Sequence, residues 1–342
     1  MKKFLLTIIA IVMVFTVVLT AMVGCSNKVE QVTVGDFDII EMNIGKEQPM
    51  WTDSKKLDSD MSAYEMFSLA LDNYYNTDFV ISQQYGTALT KAGLITTSQV
   101  IDVAKIRIGV GDSQGLNSSN ATYYADSISY SSITSLYEKT MIKNGEIYYR
   151  NADTKYNRRG DTIDIKSWNS ITTDFKDIQD YVNKKSNNPT MIWMYDTSEE
   201  NVEEASEPIY DEATDTYRFA IIFNPVKSTT EYVKTMKQQL SVNAGMEVDK
   251  IDFLQLRIRF VLWANGMIRN IYITESYAMK LGSVLNSTVT LNTEVQFSYD
   301  KTESGYVADE FENSFYNSAA LYVKPYGDSA VEKLGSIIAM QN

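Results

Sequence analysis

The 342-residue sequence predicts an α+β fold: a strongly curved antiparallel β-sheet, an incomplete barrel, covered by α-helices. Three observations predict it. "DFLQLRIRFVLW" and "STVTLNTEVQFSY" alternate apolar and polar residues with the period of two of a half-buried strand. Asn-Gly pairs at 144–145 and 265–266 sit where hairpins must turn. One clear amphipathic helix, residues 62–76, supplies an apolar stripe that needs a surface to cover.

The chain opens on Met1-Lys2-Lys3, followed by an uncharged run from Phe4 to Val23 and then Gly24-Cys25. A basic start before an apolar run is the pattern of an export signal. Met22-Val23-Gly24-Cys25 resembles the bacterial lipobox, in which small residues precede an obligatory Cys. That resemblance implies cleavage before Cys25 and lipidation of its thiol. The alternative is an uncleaved anchor helix, since about 20 apolar residues span a bilayer. Both place the remainder on the extracytoplasmic face of the bacterial cell membrane. The domain reading is therefore signal peptide 1–24, lipidated N-terminus and lead-in 25–58, and one curved-sheet domain 59–342. Phe37–Ile40 is expected to form a short strand in the lead-in.

In the helix at 62–76, Ser62 and Glu65 fit a capping box. Ala63, Met66, Phe67, Ala70, Leu71 and Tyr74 form its stripe. Strands are expected at 78–90, 99–110, 121–131, 136–143, 146–151 and 161–166, with Asn144-Gly145 as a two-residue type I′ turn. A second helix, 172–184, carries Phe175, Ile178, Tyr181 and Val182 on one side and ends before Asn188-Pro189. "MIWMY" (191–195) is expected to be a strand. Residues 196–216 carry nine acidic residues and no basic one, the composition of a solvated loop. Within it Asp211, Glu212 and Asp215 form a weak calcium-site alternative.

"YRFAIIFNP" (217–225) reads as a strand stopped by Asn224-Pro225. A third helix, 229–240, carries Tyr232, Val233, Met236 and Leu240. Leu254, Leu256, Ile258, Phe260 and Leu262 then share one face of a long strand. After Asn265-Gly266, "MIRNIYITESYA" returns as its partner, and 287–299 places Val289, Leu291, Val295, Phe297 and Tyr299 on one side. Strands of that length, about 40 Å, must twist and curl. Helices around Asp309 to Leu321 and Ser329 to Ala339 would end the chain.

Composition limits function. The chain has no His and a single Cys, so His-based acid–base chemistry, Ser-His-Asp triads and the usual zinc sites are absent. A net charge of −13 argues against nucleic acid as a partner. Paired carboxylates, as in glycoside hydrolases, are the enzymatic option left, and no motif supports them.

This order of elements behind a lipobox, with "YRFAIIFNP" and "WANGMIRNIYI" as local phrases, resembles the LolA-like and LppX-type lipoprotein carriers over roughly residues 60–300. The resemblance implies an incomplete barrel plugged by helices, with an apolar cavity that takes acyl chains, no catalytic residues and no cofactor. The helices would line that cavity with Met66, Phe67, Leu71 and Met236. The strands would line it with Leu254, Leu256, Ile258, Phe260, Val289, Leu291, Val295 and Phe297. The expected function is a membrane-tethered, non-enzymatic protein that binds or carries a lipid or glycolipid, with membrane contact through the lipid on Cys25 and no nucleic acid. The alternative is a surface interaction module with a solid core, binding a partner protein or polysaccharide through exposed Tyr and Trp (Trp51, Trp168, Trp193). Sequence alone leaves cavity and packed core both open.

Overall fold

In the computed structural model the described residues are 45–49, 54–93, 95–113, 121–131, 135–157, 162–185, 188–244, 248–281, 285–301, 312–313 and 315–316. Cys25, Phe37–Ile40, Trp51 and the helix expected at 329–339 lie outside them, as does most of that expected at 309–321.

Helix α1 (Ala63–Asn76) begins at the expected capping box: the Glu65 N–H donates to Ser62 Oγ at 3.3 Å and the Ser62 N–H donates to Glu65 Oε2 at 2.8 Å. Six strands follow: β1 (Phe79–Ala92), β2 (Ile95–Ile108), β3 (Thr122–Ser131), β4 (Ser135–Lys143), β5 (Glu146–Asn157) and β6 (Thr162–Trp168). Then come α2 (Ile178–Lys185), β7 (Val202–Ala205), β8 (Ile209–Asp211), β9 (Thr216–Phe223), α3 (Pro225–Ser228) and α4 (Thr230–Ala244). The long strands β10 (Val248–Trp263), β11 (Ile268–Leu281) and β12 (Leu285–Ser298) complete the order.

All twelve strands join one antiparallel sheet, in the order β6-β5-β4-β3-β2-β1-β12-β11-β10-β9-β7 with β8 also on β9. It is thus two meanders joined where β1 pairs with β12, from Ile81–Ser298 to Lys91–Thr288. The path does not return on itself, so this is an incomplete barrel with β6 and β7 at its edges.

The turns follow their chemistry. Asn144 and Gly145 both have positive φ, 55° and 80°, as a type I′ turn demands. The second turn differs. Gly266 N–H donates to the Trp263 carbonyl and Trp263 N–H to the Met267 carbonyl, both at 2.8 Å, which makes a three-residue loop with Gly266 at φ 84°. A Cβ on Gly266 would collide with the Lys55 carbonyl and with Asn73 Nδ2. Asn73 is buried in α1 and donates to the carbonyls of Lys55 (2.9 Å) and Gly266 (3.0 Å), so this turn docks directly on the helix. Gly266→Ala should therefore cost about 2–3 kcal/mol in urea unfolding. Gly145→Ala, at a similar angle with open space around it, should show only the conformational part, about 1 kcal/mol. Equal losses at the two sites would contradict this docking.

Three expectations are corrected and one is extended. Residues 191–195 are not a strand but an irregular strap: their side chains divide between different apolar clusters, and among the described residues no strand pairs with them. The helix expected at 172–184 starts only at Ile178, because Thr172 is held to Tyr149 by a pair of backbone hydrogen bonds, 2.8 and 3.0 Å. Asn224-Pro225 does more than stop β9: Asn224 Oδ1 accepts from Lys227 N–H at 2.9 Å and Pro225 opens α3. Finally, the acidic run is not all loop, since it supplies β7 and β8 at the edge of the sheet. There Asp211 pairs with Arg218, and Asp215 accepts from the Tyr210 hydroxyl at 2.7 Å.

Both faces of the sheet are buried near its centre. In β1, Val80 faces one cluster and its neighbours Phe79 and Ile81 face another. The first face lies under helices. Beneath α1 is a cluster built on Phe67, Trp193, Phe219, Phe260 and Phe297. Beneath α2 is a second, with Tyr123, Ile142, Tyr149 and Tyr181. Beneath α4 is a third, with Leu240, Ile251, Phe253 and Met279. The opposite face of β1–β5 carries a cluster closed by Phe315.

The seam between helices and sheet as a candidate binding site

Eight of the twelve residues expected to line a cavity come together under α1: Met66, Phe67, Leu71, Leu256, Ile258, Phe260, Val295 and Phe297. Met236 lies elsewhere, beside Leu240 in the cluster under α4. Val289 is buried opposite Tyr277, and half-buried Leu291 sits opposite Glu275 on the same face. Leu254 is a correction: it is 47% exposed. The register slips between Phe253 and Gln255, so the residues facing the helices change from odd (Ile251, Phe253) to even (Leu256, Ile258, Phe260). A bulge of this kind turns the extra residue out of the pairing, and strict alternation cannot foresee it.

Under α1 these side chains pack against one another. The Phe67 ring lies 5.0 Å from Phe260, 6.0 Å from Trp193 and 6.3 Å from Phe223, and Phe219 stacks on Phe260 at 5.2 Å. Open space lies instead at the edge of this cluster. There a cavity with room for about one water molecule is lined by Tyr74, Ser82, Gln84, Lys105, Met191, Ile192, Val295 and Phe297. The sheet register explains its character. Phe297, Ser82 and Lys105 form one cross-strand row, and Val295, Gln84 and Val103 the next. An apolar wall from β12 thus meets a polar wall from β1 and β2.

The roof over this seam is the strap 191–195. The Lys105 ammonium donates to the Met191 carbonyl at 3.2 Å. Ile192 and Trp193 pack into the cluster under α1, while Met194 packs into the one under α2. The Tyr195 hydroxyl donates to the carboxylate of Glu275, and its ring meets Tyr232 of α4 at 5.6 Å. Five consecutive residues therefore tie all three helix-covered clusters together without a backbone ladder of their own.

Glu275 is the anchor of that strap. It is 1% exposed, in a row between Leu256 and Leu291. Burial raises its carboxyl to about 7 against the Tyr195 hydrogen bond, which lowers it. Tyr195, Tyr232 and Tyr277 surround it, their hydroxyls pushed up by burial and by the Glu275 charge. The folded state thus keeps a proton that the unfolded chain releases. This site's stability is fully present below the ordinary carboxylate range and is lost as pH rises from about 4.5 to about 7. The loss is about 3 kcal/mol at one pKa unit per 1.36 kcal/mol. Glu275→Gln should flatten that slope and raise the urea midpoint at pH 8 but not at pH 4.5. A variant tracking wild type at both pH values would refute the assignment.

Ser82, Gln84, Lys105, Met191 and Ile192 are site residues that sequence reasoning missed. The signal was present in "VAKIRI", where Lys105 and Arg107 alternate with Ala104 and Ile106 and so must share a face. Among the described residues no helix is long and apolar enough to cross a membrane, which says nothing of strands.

No family model and no curated protein matches the sequence. Several solved structures are similar at low level, three of which follow. A protein described as an outer membrane lipoprotein-sorting domain from Vibrio parahaemolyticus is 8% identical, covering 75% of this chain and 99% of its own, with a TM-score of 0.20. A DUF1329 family protein from Desulfovibrio piger is 11% identical over 74% and 98% of the two chains, TM-score 0.23. A protein described as AttH from Nitrosomonas europaea is 10% identical over 76% and 60%, TM-score 0.22. Likeness at this level carries no argument about function.

Proposed function

We propose that the chain is a membrane-tethered extracytoplasmic protein that binds an amphiphile, a lipid or glycolipid, at the seam between sheet and helices. One observation carries this reading: the cavity at the seam is divided, with Val295, Phe297 and Ile192 on one side and Ser82, Gln84 and Lys105 on the other. An amphiphile needs that division, with an apolar tail along β12 and a polar head on β1 and β2. The cavity is far smaller than a lipid, so binding requires the strap and α1 to move apart. Ile192 and Trp193 of the strap pack into the cluster under α1, so opening withdraws those two side chains and bares apolar surface that the ligand's tail would cover. The tether is the lipid on Cys25.

The aromatic packing under α1 favours the rival reading, an interaction module with a solid core. Native mass spectrometry of the full chain, extracted in mild detergent, separates the two. The amphiphile reading expects one retained lipid per chain. A chain that stays lipid-free after incubation with phospholipid micelles is the solid-core module. Intact mass addresses the tether separately: a diacylglyceryl-modified chain starting at Cys25 is expected, and one still starting at Met1 would exclude it.

A further inference from the structure

The seam holds a cation that the protein does not neutralise. Lys105 is half-buried, and its ammonium donates to a single neutral acceptor, the Met191 carbonyl at 3.2 Å. Among the described residues it makes no ion pair. Two positions along β2, on the same face, Arg107 is 3% exposed and, among the described residues, also forms no ion pair. Its Nη2 caps the end of α1 through the Thr77 carbonyl at 2.9 Å and the Tyr74 carbonyl, and its guanidinium lies 4.7 Å from the centre of the Tyr74 ring. Its Nε and Nη1 have no hydrogen-bond partner.

In a chain with 44 acidic residues, these two cations lie beside one cavity, and among the described residues neither forms an ion pair. Taking charge out of water without a counter-charge is costly, and burial lowers the Lys105 ammonium to about 8. A site kept positive in an acidic protein is complementary to an anion that arrives from outside.

We infer that Lys105 selects a ligand whose head group has a net negative charge, binding its phosphate or carboxylate where no cation of the head group itself offsets it. Ser82 and Gln84 line the same cavity and can donate to the remaining head-group oxygens. Arg107 holds α1 in place and adds positive potential. This inference rests on the reading that the seam takes an amphiphile, and it adds the sign of the head.

The test uses the full chain in a neutral detergent with equimolar phosphatidylglycerol and phosphatidylcholine, read by native mass spectrometry. Wild type should retain the anionic lipid over the zwitterionic one by about tenfold, the difference one charge-assisted hydrogen bond supplies. Lys105→Gln should keep lipid but lose the preference, and Lys105→Arg should restore it. A Lys105→Gln chain that keeps the preference, or a wild type without one, overturns the head-group assignment and leaves amphiphile binding standing. If Lys105→Gln does not fold by circular dichroism, Ser82→Ala takes its place, with a reduced preference expected and an unchanged one overturning the assignment. If wild type retains no lipid, amphiphile binding falls, and calorimetry with inorganic phosphate decides the rest. Binding that Lys105→Gln abolishes would make the seam a free-anion site, and no heat of binding would overturn the anion assignment too.

Discussion

Phe260→Ala is expected to lower the unfolding free energy by about 3–5 kcal/mol, among the largest losses a single truncation can cause. Phe260 is wholly buried towards the C-terminal end of β10, with the rings of Phe67, Phe219 and Trp193 at 5.0, 5.2 and 6.5 Å. Removing it deletes those ring contacts, each worth about 0.5–1.5 kcal/mol beyond area burial, and leaves a cavity that neighbours on three separate segments cannot collapse to fill. Urea unfolding followed by Trp fluorescence and by circular dichroism measures it. Leu254→Ala on the same strand is the comparison: that side chain is exposed, and its loss should stay within about 0.5 kcal/mol. The result bears on function. If the space under α1 were a trough standing open for an acyl chain, a wall residue of the lipid-free protein could be truncated cheaply. A loss below about 1 kcal/mol would therefore move the ligand site from the seam to the space under α1.

The fold was legible where one rule governed a whole segment. The capping box of α1, the Asn144-Gly145 turn and the alternation of β11 and β12 each follow from local chemistry that nothing distant overrides. Legibility failed where two constraints met in one residue. Leu254 obeys the strand period up to a bulge that the period cannot encode. Residues 191–195 look like a strand because four of them (Met191, Ile192, Trp193 and Met194) are large and apolar, but their side chains do not share one face and among the described residues the backbone has no partner strand. The acidic run reads as solvated by composition, yet its backbone completes a sheet edge while its carboxylates stay outside.

The site was the least legible part. Its apolar half, Val295 and Phe297, stands out by period. Its polar half does not, because Ser82 and Gln84 are ordinary strand residues until register sets them beside Lys105. The opposite face of the sheet misleads in the same way: Glu294, Gln296 and Asn270 read as solvent-facing, but all three are buried and linked, with Asn270 and Gln296 both donating to Glu294 Oε1 at 3.4 and 3.1 Å. The face of β11 and β12 opposite the first apolar cluster is polar by sequence, and such a face is solvent only if nothing else covers it.

Asp126→Ala should cost about 3–5 kcal/mol, and adding Lys139→Met to an Asp126→Leu chain should recover most or all of it. Asp126 on β3 and Lys139 on β4 are register partners, both with fully buried side chains, Nζ to Oδ2 3.7 Å. The carboxylate also accepts from the Tyr137 hydroxyl at 2.9 Å, and the ammonium lies 5.4 Å from the Tyr137 ring centre and 5.5 Å from that of Trp168. Burial lowers the Lys139 ammonium, and Asp126 holds it up against that pull. Burial, with the charge of Asp126 behind it, pushes the neighbouring Asp102 carboxyl well up. Removing Asp126 takes the counter-charge from the ammonium and one acceptor from the hydroxyl in a dry interior, which is the costly case. Replacing both charges removes the desolvation of each, and the change is then near neutral or stabilising by up to about 4 kcal/mol. The double replacement also relieves Asp102, whose carboxyl should return towards the ordinary range in a carboxyl-resolved NMR titration. Urea midpoints of Asp126→Leu, Lys139→Met and the Asp126→Leu/Lys139→Met double close the cycle. If Asp126→Ala costs less than about 1 kcal/mol, water reaches this pair. If the double is as unstable as the single, the pair holds β3 and β4 by more than its charges, through the Tyr137 hydroxyl that loses this acceptor in either variant.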